Sequence, residues 1–349
     1  MAANQAPIQI AGRDQQQSRL DEKLRRELGE QVLAALADHR SEDVCLNPDG
    51  KVWVNRQGDG WKQIGELSAT QAQAAMGTIA TQRGTVVNYD RPILETELPI
   101  DGSRFEGLLP PVVPKPAFAI RLRPRRIFSL NEYAQSGILT GIDDPRNRAR
   151  RRENFAATLE GVSHLDILRK AIAERKNILI VGSTGSGKTT LVNACLEAIA
   201  ATHPNDRVIT IEDTMELRCP VDNYVDLRAF ASVSMLECLR ACMRLKPKRI
   251  IVGEVRGAEA HVMLKAWNTG HPGGVATVHA NDALSGLVRL ESLVAEATAA
   301  PQQSLIAEAV DLVVFIDEDG ELPAGRKVRE LMVVTGFDAA TGKYLVTYV

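Results

Sequence analysis

The run Ile178-Leu179-Ile180-Val181-Gly182-Ser183-Thr184-Gly185-Ser186-Gly187-Lys188-Thr189-Thr190 leaves a chain few folds to choose from. Four apolar residues in succession suit a strand buried on both faces. The residues after them fit G-x-x-x-x-G-K-[ST] without a mismatch, and a helix-forming run, 191–200, follows. The strand–turn–helix context is the one in which this motif cradles phosphate. Gly182, Gly185 and Gly187 allow backbone conformations that a Cβ would forbid. The turn can then aim its N–H groups at an anion lying on the positive end of the helix. Lys188 supplies a point charge for the β- and γ-phosphates, and the Thr189 hydroxyl suits Mg²⁺. The expected phosphate cradle is Gly182, Ser183, Thr184, Gly185, Ser186, Gly187, Lys188, Thr189 and Thr190. The cradle alone does not say which reaction follows.

From residue 165 onward strands and helices alternate. Apolar strands are predicted at 178–181, 208–211, 250–252, 275–278 and 312–316, with helical stretches between the first four. That alternation predicts an α/β domain with a mostly parallel sheet covered on both faces. Ligands of such sheets bind beyond the carboxyl ends of the strands, and polar residues collect at those ends here. Thr210-Ile211-Glu212-Asp213-Thr214 ends one strand on two carboxylates. Val252-Gly253-Glu254-Val255-Arg256-Gly257 ends another on an acid. A third, Val275–Val278 preceded by Gly270-His271-Pro272-Gly273-Gly274, ends on His279. Singly these are weak signals, because an acid after a strand often caps a helix, as Asp213 could, and a histidine in a glycine-rich turn often bonds backbone. In series they supply what phosphoryl transfer needs: a metal ligand, a group to polarise water, and cations near the γ-phosphate. The tail, 328–336 and 343–349 around Ala340-Thr341-Gly342, predicts a terminal hairpin.

The N-terminal third reads differently. Residues 1–17 are Gln-rich, with no apolar signal core, and are expected to be disordered. Residues 18–38 carry Leu20, Leu24, Leu28, Val32, Leu33 and Leu36 on one helical face. Alternating residues at 43–64, broken by Asn47-Pro48-Asp49-Gly50 and Gly58-Asp59-Gly60, predict a strand meander. Ser68-Ala69-Thr70-Gln71 opens a helix with a capping box. Extended segments follow near 93–98, 104–109 and 118–122. The expected domains are 1–126 (α+β), 127–160 (linker) and 161–349. The linker carries Arg146, Arg148, Arg150, Arg151 and Arg152, a run that is usually a solvated face but suits acidic lipid or nucleic-acid phosphates. With a net charge of −2 over 349 residues, no global field draws in nucleic acid. No apolar run approaches a membrane span. Cys45, Cys195, Cys219, Cys238 and Cys242 form no C-x-x-C pair, so reduced, buried thiols of a cytoplasmic protein are expected.

Taken together, the four strand-end motifs and the run Leu264-Lys265-Ala266-Trp267-Asn268-Thr269-Gly270-His271-Pro272-Gly273-Gly274 resemble the secretion and traffic ATPases of type II and type IV systems. Within them the chain most resembles the TrbB type of conjugative-transfer ATPase. The likeness reaches into the N-terminal domain through Asp101-Gly102-Ser103-Arg104-Phe105-Glu106-Gly107 and Phe118-Ala119-Ile120-Arg121, and covers about residues 20–328. It implies a RecA-like P-loop catalytic domain behind a smaller α+β N-terminal domain, with ATP and Mg²⁺ as substrate and cofactor. It also implies that Glu212 is the general base or orients the attacking water, and that Glu254 acts on Mg²⁺ from the Walker B position alongside Thr189. By the same likeness His279 contacts the γ-phosphate, and Arg104 and Arg121 close over the phosphates, with Arg123 a weaker candidate. A homohexamer at the cytoplasmic face of the inner membrane, docked on inner-membrane components of the apparatus, is implied in the same way. Gly274 and Lys248 depart from the family pattern, which commonly has Ser and Asp there.

Two alternatives stand beside this reading. One is a type II secretion or type IV pilus extension/retraction ATPase; many type II enzymes carry a tetracysteine zinc module, which this sequence lacks. The other is a nucleic-acid translocase or binding module using the Arg146–Arg152 run. Only 4% of the residues are aromatic, which disfavours base stacking. A GTPase would carry an Asn-Lys-x-Asp motif, and none is present. A small-molecule kinase would leave the N-terminal domain and the His279 motif without a purpose.

Overall fold

The structure is a computed structural model that describes residues 6–123, 129–139 and 155–349, with the side chains of 6–14 left aside. The basic run at residues 146–152 lies outside the described residues, as do residues 1–5. The chain divides into two compact units: Met1–Arg126 with Phe230–Val233 and Arg244–Lys246, and Ile127–Ala229 with Ser234–Met243 and Pro247–Val349.

The first unit is built on a six-stranded antiparallel sheet. Its strands are β1 (Ser41–Leu46), β2 (Lys51–Arg56), β3 (Gly60–Glu66), β4 (Ile93–Glu97), β5 (Arg104–Leu108) and β6 (Ala117–Arg121), in the order β3-β2-β1-β6-β5-β4. The meander expected at 43–64 is β1–β3. One face packs against two helices, α1 (Ala6–Ala37) and α2 (Ala69–Gln82). Leu24, Leu28, Val32 and Leu36 of α1 and Met76 and Ile79 of α2 share a core with Val44, Val54, Phe105, Phe118 and Ile120 of the sheet. The amphipathic period at 18–38 is that buried stripe. The helix itself starts earlier, at Ala6, where disorder was expected, and it breaks at Gly29, whose φ of 77 and ψ of 162 are not helical. At the start of α2, Ser68 accepts from the Gln71 backbone N–H while the Gln71 side chain turns back to Ser68, as the capping box predicts.

The second unit has an eight-stranded sheet. Its strands are β7 (Ile178–Val181), β8 (Val208–Glu212), β9 (Tyr224–Arg228), β10 (Arg249–Val252), β11 (Val275–Val278), β12 (Leu312–Glu318), β13 (Arg326–Asp338) and β14 (Lys343–Tyr348). Their order is β14-β13-β12-β7-β11-β10-β8-β9. From β12 to β9 every neighbouring pair is parallel, while β12–β13 and β13–β14 are antiparallel. This is the RecA-like α/β arrangement expected, closed at one edge by the terminal hairpin. After the short α3 (Leu130–Gln135), the helices of this unit are α4 (His164–Ala173), α5 (Lys188–Thr202), α6 (Met235–Arg244), α7 (Glu259–Asn268), α8 (Ala283–Ala295) and α9 (Gln303–Ala309). Sequence reading missed β9, although Val225 and Leu227 are buried and alternate with polar neighbours over five residues.

Three packing details fix the site. The four residues of β7 are all buried, so its end is rigidly placed in mid-sheet. Val192, Cys195, Leu196 and Ile199 bury one face of α5. Gly286 lets α8 close onto β7, since a Cβ there would come 2.6 Å from Val181 Cγ2. Cys45, Cys195, Cys238 and Cys242 are buried, the last two on one face of α6. No helix among the described residues is long and apolar enough to cross a membrane.

Candidate active site

A cavity of 420 Å³ opens at the carboxyl ends of β7, β11, β10 and β8. Thr184, Gly185, Gly187, Lys188, Thr189 and Thr190 line one side, and Glu212, Asp213, Glu254, Arg256 and His279 line the other. The glycine turn has the conformation its sequence demands. Gly187 has φ 97 and caps α5 from the left-handed region, and Gly185 has φ 81. A Cβ on Gly182 would run into the carbonyl of Ile316, because β12 extends past the end of β7 and walls the turn.

Contacts across the cavity follow the strand order. Lys188 Nζ donates to the carbonyls of Gly182 (3.0 Å) and Ser183 (2.6 Å) and lies 3.3 Å from His279 Nδ1. The other ring nitrogen, Nε2, is 3.0 Å from Glu254 Oε1. The strand order explains why: β11, which runs directly into His279, lies between β7, which leads to Lys188, and β10, which leads to Glu254. Glu254 Oε2 then takes a bond from Arg256 at 2.7 Å, and the same guanidinium reaches Asp213. Glu212, one strand further on, is 3% exposed. Its Oε1 accepts from the backbone N–H groups of Glu216 (2.9 Å) and Leu217 (3.0 Å), while Oε2 is buried without a partner among the described residues.

The electrostatics separate the two glutamates. Burial raises the Glu212 carboxyl above its usual range, against the two backbone donors that favour its charge. Burial acts on Glu254 too, but Arg256, then His279 and Lys188, outweigh it and hold that carboxyl low. Burial lowers the Lys188 ammonium, with Glu254 opposing. Burial thus favours the neutral form of Glu212, while the surrounding cations favour the ionised form of Glu254. The donor set also fits Mg²⁺: Thr189 and Glu254 offer hard oxygen atoms to one cavity, and no thiol lines it.

Other residues of the sequence motifs have their own surroundings. His271 bonds the Pro247 carbonyl at 2.8 Å, at the amino end of β11 and away from the cavity. The turn it belongs to is held by Asn177, whose Oδ1 accepts from Gly273 (2.8 Å) and Gly274 (3.0 Å). Gly274 leaves no room for a side chain, since a Cβ would collide with the Trp267 indole and come 2.7 Å from the Ile250 carbonyl. Asp213 caps no helix and pairs with Arg256 instead. Arg104 and Arg121 belong to the first unit, directly opposite each other on β5 and β6 and exposed. Within that unit they line a 730 Å³ pocket with Arg83 and Arg123, and Arg123 is paired with Glu97 at 3.1 Å. Arg256 and Arg326, both in the cavity lining, were not singled out from sequence. Arg256 was visible as a cation two residues after Glu254, on a turn that Glu259 Oε1 fixes by accepting from the Arg256 and Gly257 N–H groups. Arg326 had no sequence signal, because β13 brings it in from 136 residues beyond Thr190.

A family model described as "Type II/IV secretion system protein" matches residues 151–318. The probable conjugal transfer protein TrbB of Sinorhizobium fredii is 46% identical over 93% of this chain and 92% of its own length. This chain belongs to the TrbB family of type IV secretion ATPases. The conjugal transfer protein TrbB of Rhizobium radiobacter is 43% identical over 91% of both chains. Among solved structures, the VirB11 ATPase from the Brucella suis type IV secretion system, in complex with sulphate, superposes with a TM-score of 0.83 at 27% identity. That match covers 91% of this chain and 96% of that one. The likeness to the TrbB relatives spans both units, and the cavity lies among residues of the second.

Proposed function

We propose that this TrbB-family ATPase is the motor of a conjugative transfer apparatus. In this reading it works as a homohexameric ring at the cytoplasmic face of the inner membrane, docked on inner-membrane components. The observation that supports the reading is the contact series Lys188–His279–Glu254–Arg256 beside a buried Glu212. Residues from four strands, 91 positions apart between Lys188 and His279 alone, meet over one P-loop.

The chain's own residues divide the chemistry. The N–H groups of Gly182 to Thr190 bind the phosphates, which compete with the Gly182 and Ser183 carbonyls for the Lys188 ammonium. Glu212 orients the attacking water and takes its proton; its raised pKa brings it nearer to neutrality, where a base works best. His279 reports the γ-phosphate to Glu254 through its two ring nitrogens. Thr189 and Glu254 would hold Mg²⁺, which when bound with the nucleotide neutralises charge on the β- and γ-oxygens. Arg104 and Arg121 belong to the proposal as cations supplied to the phosphates during turnover.

The test is turnover of Mg²⁺-ATP by purified protein, with electron microscopy in the presence and absence of a non-hydrolysable ATP analogue. Wild type should turn over and form rings, and Lys188→Ala should abolish turnover. Turnover that survives Lys188→Ala would sink the site; a monomer under both conditions would sink the ring.

A further inference from the structure

The strand β12 runs three residues past the end of β7, so Ile316, Asp317 and Glu318 stand beside the P-loop. Ser183 Oγ lies 3.4 Å from Asp317 Oδ1, and Glu318 approaches Gly185. The chain then turns back, and β13 begins with Arg326 opposite Glu318. This returns a cation to the level of the phosphate cradle. Arg326 Nη1 is 3.5 Å from Thr190 Oγ1, and a Cβ on Gly187 would collide with its guanidinium and come 2.7 Å from its Cδ.

Arg326 forms no ion pair among the described residues, although it lines a cavity that holds Glu212, Asp213, Glu216 and Glu254. Its neighbour Arg329 is occupied by Asp319 at 3.3 Å and by the Glu318 carbonyl at 3.0 Å. Arg256 is occupied by Glu254 and Asp213. An unpaired guanidinium over a helix N-terminus reinforces the same preference for anions that the backbone already has.

The sheet order says which part of the nucleotide it meets. Strands β11, β10 and β8, with His279, Glu254 and Glu212 at their ends, lie on one side of β7. Strands β12 and β13 lie on the other. The P-loop sits between a hydrolytic flank and an arginine flank. A phosphate chain whose terminal group faces the glutamates presents its inner end to Arg326.

We propose that Arg326 is a nucleotide-binding residue that contacts the α-phosphate from the β13 side of the P-loop. The proposal rests on the ATPase reading of the cavity. An α-phosphate contact is made equally in the ground and transition states and equally by ATP and ADP. It lowers KM without raising kcat.

The experiment measures steady-state ATP turnover and ADP affinity for wild type, Arg326→Gln, Arg326→Lys and Lys188→Ala, with thermal unfolding in the absence of nucleotide. In Arg326→Gln, KM for ATP and Kd for ADP should rise together by about tenfold, the size of one charge-assisted contact. In the same variant kcat should stay within threefold of wild type, and Arg326→Lys should recover part of the affinity. Weaker ATP binding with unchanged ADP binding would overturn the assignment, because it marks a γ-phosphate contact. A lost kcat with unchanged KM, or no change at all, would overturn it as well. So would a lowered unfolding temperature without nucleotide that lysine fails to restore. Turnover persisting in Lys188→Ala would remove the ATPase site itself. A silent Lys188→Ala with an unaffected Arg326→Gln would remove only the role of Arg326.

Discussion

Replacing Glu212 by glutamine should make the protein both slower and more stable. The two backbone donors on Oε1, at 2.9 and 3.0 Å, can be kept by the amide oxygen. What is lost is the charge on a side chain that is 3% exposed and whose Oε2 has no partner among the described residues. Loss of a positioned general base costs about 10²–10⁴-fold in kcat, or about 3–5 kcal/mol of barrier. The amide NH2 that takes the place of Oε2 is itself left without a partner among the described residues, so the gain in stability comes only from removing the buried charge. Each kcal/mol raises Tm by about 2–4 °C for domains of about 150–250 residues. The sign with pH follows from the direction of the shift. The fold raises this carboxyl above its usual 4.5, so it favours the neutral acid. The stability the group contributes is whole below the unfolded pKa and is lost as pH rises through the folded one. Glutamine stays neutral throughout. The gap in Tm between Glu212→Gln and wild type should therefore be small at pH 4 and widen toward pH 7. Calorimetry across that range, paired with ATP turnover, tests both halves. A variant that is less stable than wild type at pH 7, or one that keeps its kcat, would refute the reasoning.

Arg256→Gln removes the cation that holds Glu254 low and ties it to Asp213. It should lower kcat by about tenfold or more, with the acidic limb of the pH–rate profile moved to higher pH, and Arg256→Lys should restore part of both. An unshifted limb would remove Arg256 as a positioning residue. Gly274→Ser should destabilise this chain by about 1–3 kcal/mol through overpacking against Trp267 and the Ile250 carbonyl, read as a lower urea midpoint. An unchanged midpoint would show that the indole has room to move.

Much of this site was legible in the sequence because its parts are local. A P-loop is contiguous, and Glu212, Glu254 and His279 each end an apolar strand, so a strand pattern alone puts them on one edge of a parallel sheet. The pattern does not give strand order. Nothing in residues 275–279 says that β11 is inserted between β7 and β10, yet that insertion is what brings His279 between Lys188 and Glu254. Arg326 was unreadable for the same reason, since its place depends on how far β12 overruns β7 and where β13 turns back. The early start of α1 was missed because residues 6–17 carry Pro7, Gly12 and a run of glutamines and show no helical apolar period. Its break was missed because Gly29 lies inside an otherwise regular apolar stripe.

The position of β7 has a consequence for how the protein is made. Its two sheet neighbours are β11 and β12, which end at residues 278 and 318. A ribosome releases the phosphate turn about a hundred residues before either strand exists to flank it, at about 5–20 residues per second. Nucleotide in the cell therefore has no finished pocket to occupy during most of translation. Its stabilising effect arrives only once β12, which ends at Glu318, has emerged.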